Sequence, residues 1–181
     1  MAEVTKSPNT CVDDATVGTV AWTNPNNAKV SDGVYATAGL GADTNIYDNA
    51  VRIVRSDGTI GTTDRSSATK WVYGPDVSLS HGSSSDLWGE TLTAENINDN
   101  DFGVALSAKN ITTGEVTHYL KATNFGFSIP AGATIDGIIV DVENRLWPIS
   151  TTYYAYVDHI RITVYYTEAT TKSPFPTFFR I

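Results

Sequence analysis

Two alternating apolar runs flank a Pro-Gly turn between residues 124 and 144 (NFGFSIPAGATIDGIIVDVEN), and this stretch constrains the fold more than any other. Every second residue in each run is large and apolar, which places each set on one face of a β-strand. The first set is Phe125, Phe127 and Ile129, and the second is Ile138, Val140 and Val142. The turn at 130–132 cannot continue a ladder, so the stretch predicts a β-hairpin or a tight β-corner. Its register is fixed, because a slip by one residue would bury Asp141 and Glu143.

The remaining patterns also predict short strands and turns. In residues 154–166 the apolar and aromatic residues Tyr154, Tyr156, Ile160, Ile162, Val164 and Tyr166 predict one face of a long last strand, interrupted only at Asp158. Asp57-Gly58 predicts a hairpin turn, Thr93 predicts the N-cap of a single helical turn, and the Ser-rich residues 77–85 predict a surface meander. Eight to ten short strands with no substantial helix predict an all-β fold, a jelly-roll-like antiparallel β-sandwich with extended N- and C-terminal arms.

The chain of 181 residues fits one domain of ordinary size with two terminal extensions. Residues 1–19 are polar and lack a periodic pattern, which predicts an N-terminal arm that straps onto a neighbour. Residues 20–167 hold all the strand patterns and predict the single β-sandwich domain. Residues 168–181 contain Pro174 and Pro176, which preclude a central strand, so this segment is predicted to be a C-terminal tail.

The C-terminal tail is a candidate assembly segment because a free monomer would expose its large apolar side chains. These are Phe175, Phe178, Phe179 and Ile181. Docking in a groove of the same or a neighbouring subunit would bury them, which predicts a homo-oligomer. The alternative is a disordered tail.

Charge and cysteine content exclude several classes of function. A net charge of −8 and a pI near 4.7 argue against nucleic acid or an anionic membrane as a partner. The single cysteine, Cys11, cannot form an intrachain disulfide or a CxxC zinc site, and we expect a buried thiol. No apolar run approaches about 18 residues, and the first ten residues lack the pattern of a secretory signal. We therefore expect synthesis in the cytoplasm and no membrane partner.

Few residues suggest catalysis. The three histidines, His81, His118 and His159, stand apart in the sequence, and no nucleophile-elbow motif is present. Asp141 and Glu143 share a strand face, which could form a glycosidase pair but is equally typical of any solvated sheet face. We therefore expect no enzymatic activity and no cofactor.

Two binding sites remain as alternatives. Flat aromatic rings pack on sugar rings, and Tyr73, Trp147 and Tyr153 lie near predicted loops, where they could form a carbohydrate platform. The competing interpretation places these aromatics in the core or in an interface. The loop at 96–101 (NINDND) is rich in oxygen ligands and could bind calcium. It lacks the glycine and distal glutamate of the common calcium loop, and Asn and Asp are also ordinary turn formers.

Four segments of the sequence resemble a family of poorly characterised proteins encoded among the structural genes of tailed bacteriophages and prophages. These segments are Val17–Ala38, Ser83–Leu106, Lys121–Glu143 and Ala155–Thr167. The resemblance implies a virion component but no site residues, and the order of the segments differs from that of the family, so no strand connectivity is carried over.

The resemblance and the two predicted arms together predict a non-enzymatic virion structural protein of a tailed phage. We expect it to decorate the capsid or to belong to the head–tail region, with itself and other virion proteins as partners. The alternative is a receptor- or carbohydrate-binding module of a phage fibre or spike, which would bind a cell-surface glycan.

Overall fold

The computed structural model describes residues 1–169, and its regular secondary structure is almost entirely β, with 50% of residues in strands and 5% in helices. A 3-10 helix at Pro25–Ala28 and a short α-helix, α1, at Ala94–Asn98 lie between strands. None of the helices in this part of the chain is long and apolar enough to cross a membrane. The nine strands are β1 (Ala2–Lys6), β2 (Thr10–Asp14), β3 (Ala36–Gly39), β4 (Ile46–Val54), β5 (Val77–Ser83), β6 (Gly103–Asn110), β7 (Tyr119–Thr123), β8 (Thr134–Ile149) and β9 (Thr152–Thr167).

The strands form two antiparallel sheets packed as a sandwich, which confirms the predicted fold class. The five-stranded sheet has the order β1-β9-β8-β5, and β3 also pairs with β9. The four-stranded sheet has the order β2-β7-β6-β4. The chain changes sheet at every connection from β1 to β6, which is a jelly-roll-like winding. The 16-residue strands β8 and β9 form a long hairpin at the centre of the five-stranded sheet.

The predicted hairpin over 124–144 is half correct. Ile138, Val140 and Val142 lie in the core on β8, as predicted. Residues 124–130 form no strand, although Phe125, Phe127 and Ile129 are all buried. The side chain of Asn98 accepts from the backbone N–H of Ile129 at 2.8 Å and donates to its carbonyl at 2.9 Å. This residue therefore satisfies backbone groups that a ladder would otherwise pair.

The prediction of an extended arm over residues 1–19 is wrong for residues 2–14. β1 pairs with β9 in one sheet, and β2 pairs with β7 in the other. The N-terminal segment thus joins the two layers of its own sandwich. Cys11 on β2 is fully buried, as expected, and this burial raises the pKa of its thiol to about 12.

The prediction that one face of the last strand carries both Tyr154 and Ile160 is wrong. The β8–β9 register pairs Glu143 with His159 but Asn144 with Val157, so Asp158 is an extra residue in β9. This β-bulge reverses the alternation. Ala155 and Val157 enter the core before Asp158, and Ile160 and Ile162 enter it afterwards.

Of three predicted local features, the structure contains the hairpin turn and the helix cap but not the surface meander. The Asp57-Gly58 turn is present, with the N–H of Arg55 bonded to the carbonyl of Thr59. Thr93 caps α1 through a capping box with Asn96, as predicted. The Ser-rich segment 77–85 is not a meander, because most of it forms strand β5, which pairs with β8.

Candidate functional site

The outer surface of the five-stranded sheet carries a cluster of five aromatic side chains around one arginine. We call this cluster the aromatic face; its members are Tyr35, Tyr73, Arg145, Trp147, Tyr154 and Tyr156. Arg145 and Trp147 alternate along β8, and the register of the hairpin pairs them with Tyr156 and Tyr154 of β9. Four of the six side chains therefore stand on the same rigid hairpin.

Arg145 lies at the centre of the aromatic face. Its guanidinium carbon is 4.1 Å from the ring centroid of Tyr35, 5.4 Å from that of Tyr156 and 5.7 Å from that of Trp147. Tyr35 also meets Tyr156 edge-on, with ring centroids 5.4 Å apart. Cation–π and aromatic contacts of this kind contribute about 0.5–1.5 kcal/mol each and hold the rings in fixed positions.

Tyr73 and Trp147 form the exposed end of the aromatic face. Their rings are stacked with centroids 5.2 Å apart and planes only 8° from parallel. Tyr73 is 54% exposed and Trp147 is 42% exposed. Val72 and Ile149 beside them are exposed as well, and the carbonyl of Val72 accepts from the N–H of Leu146 on β8. This end of the hairpin therefore presents several large apolar side chains to solvent.

A glycine on the neighbouring strand makes room for Tyr154. Gly39 of β3 pairs with Tyr154 in the ladder. A Cβ atom at position 39 would lie 3.1 Å from Cε1 of the Tyr154 ring. The ring therefore packs closely over the backbone of β3.

Three carboxylates lie next to Arg145. Asp76, Glu143 and Asp158, which we call the acidic trio, have carboxylate oxygens within 4.8 Å of one another. Asp76 accepts a hydrogen bond from the hydroxyl of Tyr35 at 2.9 Å, and its Oδ1 is 3.6 Å from Nε of Arg145. Among residues 1–169, the acidic trio is a group of carboxylates close enough together to bind one cation. The positive charge of Arg145 already offsets part of the negative charge of the trio.

Burial changes the acidity of two groups at this site. The pKa of Asp158 is raised, chiefly by burial and further by the charges of Glu143 and Asp76, although the N–H of Gly33 donates to its carboxylate at 3.1 Å and partly offsets the rise. The pKa of Tyr35 is raised to about 12 by burial and by its hydrogen bond to Asp76. Tyr35 therefore remains a hydrogen-bond donor throughout the physiological pH range.

The structure brings together two of the three residues of the predicted carbohydrate platform. Tyr73 and Trp147 are stacked, but Tyr153 packs against the hydrophobic core and pairs with Pro148 on the other face of the hairpin. Including Tyr153 in the platform is therefore wrong, because side chains at adjacent positions on a strand point to opposite faces. The predicted assembly residues Phe175, Phe178, Phe179 and Ile181 lie outside the described residues.

Sequence reasoning missed the rest of the aromatic face. The alternation of Arg145 and Trp147 on β8 was a usable signal, because residues two apart share a strand face. The alternation predicts Tyr154 and Tyr156 on the same face as Ile160, because Asp158 only interrupts that pattern and does not identify itself as a bulge. Tyr35 comes from a distant segment, and no local pattern connects it to the hairpin.

The histidines have polar partners, but none of them completes a catalytic arrangement in residues 1–169. Oγ of Ser7 is 2.8 Å from Nε2 of His159, a contact between residues far apart in the sequence. Nucleophilic catalysis also needs a group that orients the imidazole ring through Nδ1, and within the described chain Nδ1 of His159 makes no hydrogen bond. Nδ1 of His118 is 2.8 Å from Asp13, and buried His81 is 3.8 Å from Asp48.

The oxygen-rich loop at 96–101 uses its side chains in turn and cap bonds. Oδ1 of Asn96 accepts from the N–H of Thr93, and Oδ1 of Asp99 accepts from the N–H of Asp101. Asn98 is bonded to Ile129. The geometry therefore favours the ordinary loop over a calcium site.

A shallow cleft of about 440 Å³ lies on the other sheet, between β4 and residues 66–68. Tyr47, Asp48 and Lys109 are among the residues that line it. The carboxylate of Asp48 faces inward and is already bonded to the indole N–H of Trp71 and to the backbone N–H of Ser67. The cleft therefore offers fewer free polar groups than its lining suggests, and we regard the aromatic face as the stronger candidate.

The chain matches no protein-family model, no curated protein and no solved structure.

Proposed function

We propose that this protein is a non-enzymatic virion structural protein of a tailed phage, located on the capsid or in the head–tail region, that self-assembles through the aromatic face. The exposed aromatic face is the observation that carries the proposal. Tyr, Trp and Arg are the residues that most often dominate the binding energy of protein interfaces. The virion location is supported by the sequence resemblance described above.

Two features of the aromatic face favour a protein partner. Large apolar side chains that are exposed close together often mark a binding surface, and Val72, Tyr73, Trp147 and Ile149 are each 42–54% exposed at this end of the hairpin. The surrounding rings are held by Arg145 and by the ladder of the β8–β9 hairpin. A surface that is already ordered loses little side-chain entropy when it binds a partner.

Particle composition tests the virion location. Particles from a host that produces this protein are purified on a density gradient and analysed by mass spectrometry. We expect the protein to be enriched in the particle peak, in a constant ratio to the major capsid protein. A protein found only in the soluble fractions would contradict the proposed location.

Light scattering tests self-assembly through the aromatic face. We expect the full-length protein to form a discrete oligomer or polymer, and Trp147→Ala to reduce its mass. Ile111→Ala is the matched control, because Ile111 is 59% exposed and lines the cleft on the other sheet. An equal loss of mass in both variants would show that the effect is not specific to this surface.

A carbohydrate-binding module is the second candidate, and the exposed pair Tyr73 and Trp147 favours it. Sugar rings pack on flat aromatic side chains whose faces are open to solvent, and both rings are about half exposed. A glycan array probed with the wild type and with Trp147→Ala tests this candidate. Binding that disappears in the variant would support it, and the absence of any bound glycan would leave the assembly function.

A further inference from the structure

The C-terminal segment and the aromatic face have complementary properties. Residues 170–181 contain four large apolar side chains, two cationic side chains (Lys172 and Arg180) and no acidic one. The whole protein has 12 Lys and Arg against 20 Asp and Glu. The remaining residues, 1–169, therefore carry 10 cations and 20 acids, a net charge of −10, with His counted as neutral.

The carboxylates next to the aromatic face are negatively charged, which complements the positive charge of residues 170–181. The acidic trio provides three carboxylates and Arg145 one cation, so the local balance is 3 − 1, or two negative charges in excess. The exposed apolar end at Tyr73 and Trp147 lies on the same surface. An apolar, cationic peptide could bury its aromatic rings on the stack and place Lys172 or Arg180 near the carboxylates.

The segment after Thr167 is too short for most of its residues to reach the aromatic face of their own molecule. Trp147 pairs with Tyr154, thirteen residues before Thr167, where β9 ends. At about 3.3 Å per strand residue, the exposed stack lies about 40 Å from that end. A fully extended chain covers at most about 3.5 Å per residue, so Phe175 reaches at most about 28 Å from Thr167. Only the last three residues could reach the stack of their own molecule.

We infer that residues 170–181 of one copy bind the aromatic face of a second copy, with Phe175, Phe178 and Phe179 against Tyr73 and Trp147. The inference rests on the proposed self-assembly and names its two surfaces. Because the donor segment and the acceptor face differ, the contact is heterologous. Repetition of such a contact produces a ring if it closes and a filament if it does not.

Complementation between two full-length variants tests the inference. The tail variant carries Phe178→Ala and Phe179→Ala, and the face variant carries Tyr73→Ala and Trp147→Ala. We expect each variant alone to be monomeric by sedimentation velocity. An equimolar mixture should form a 1:1 heterodimer and nothing larger, because only one intact tail and one intact face meet in it. Ile111→Ala provides the control and should assemble like the wild type.

Two further measurements support the test. A synthetic peptide of residues 170–181 should dissociate the wild-type assembly, and a version with all four apolar residues replaced by Ser should not. Raising the salt concentration from 0.05 to about 0.5 M should weaken the assembly, because the Debye length falls well below 10 Å. Circular dichroism and urea unfolding confirm that the variants are folded. Tyr73 and Trp147 are about half exposed, so the face variant should have a lower unfolding midpoint but keep a single cooperative transition.

The possible failures are distinguishable. A face variant that is monomeric beside a tail variant that assembles normally would overturn the inference and leave self-assembly through the aromatic face intact, as a contact of face with face. Two monomeric variants that do not complement each other would also overturn the inference. A wild type that is monomeric at every concentration would overturn both the inference and the proposed self-assembly.

Discussion

Adjacent isoleucines on β8 provide a direct test of the sandwich. Ile138 has no exposed surface and belongs to the core, whereas Ile139 is half-buried on the opposite face of the same strand. Replacement of a buried isoleucine by alanine costs about 2–5 kcal/mol, and the cost rises with the size of the cavity that remains. The backbone at Ile138 is held by the indole N–H of Trp88, which donates to its carbonyl at 3.1 Å. This bond restrains the β8 backbone from moving into the cavity, and we expect Ile138→Ala to cost about 3–4 kcal/mol.

Ile139→Ala is the matched control, because the same atoms are removed one position away. We expect it to cost about 1 kcal/mol or less, in line with partly exposed sites. With a urea m-value of about 2 kcal/mol/M, Ile138→Ala should lower the midpoint of unfolding by about 1.5–2 M and Ile139→Ala by about 0.5 M or less. The measurement is urea unfolding followed by tryptophan fluorescence at low protein concentration. Equal shifts, or a larger shift for Ile139→Ala, would refute the assignment of the β8 faces.

Three further predictions use the same unfolding assay. Gly103→Ala should prevent folding or cost at least about 3 kcal/mol, because its Cβ would overlap the carbonyl oxygen of Ala122; a variant of wild-type stability would contradict this close approach. Tyr35→Phe should cost about 1–2 kcal/mol by removing the hydrogen bond to Asp76 while keeping the ring against Arg145, and no loss would show that this bond is unimportant. The raised pKa of Asp158 means that the folded state holds its proton more tightly, so stability falls as the pH rises from the ordinary value through the raised one. Asp158→Asn should therefore gain stability relative to the wild type over that range, and a constant difference would contradict the raised pKa.

The two-residue period predicted the fold class because burial on a strand follows side-chain alternation. On β8 the period identified Ile138, Val140 and Val142 correctly. The same period also predicted the burial of Phe125, Phe127 and Ile129, but not their backbone structure. Alternation indicates an extended chain with one buried face, and whether a second strand pairs with it depends on residues elsewhere in the sequence.

The N-terminal strands escaped prediction because each contributes very little to the core. β1 packs Val4 against the core and β2 contributes Cys11, and their other residues are mostly polar. A strand of five residues that places only one apolar side chain against the core is too short to display a period. Their pairing with β9 and β7 involves backbone groups separated by more than a hundred residues, and no local pattern records it.

The bulge at Asp158 shows why the aromatic face was only partly predictable. Without the extra residue, Tyr154 and Tyr156 would share a face with Ile160 and their rings would point into the core. The bulge turns them outward, where the ladder sets them beside Trp147 and Arg145. It also leaves the carboxylate of Asp158 within the acidic trio. Bulges often redirect side chains at functional surfaces, and a local break in an otherwise consistent pattern is often a functional site. The one residue that violates the alternation of β9 thus positions both the aromatic rings and the acidic charge of the candidate site.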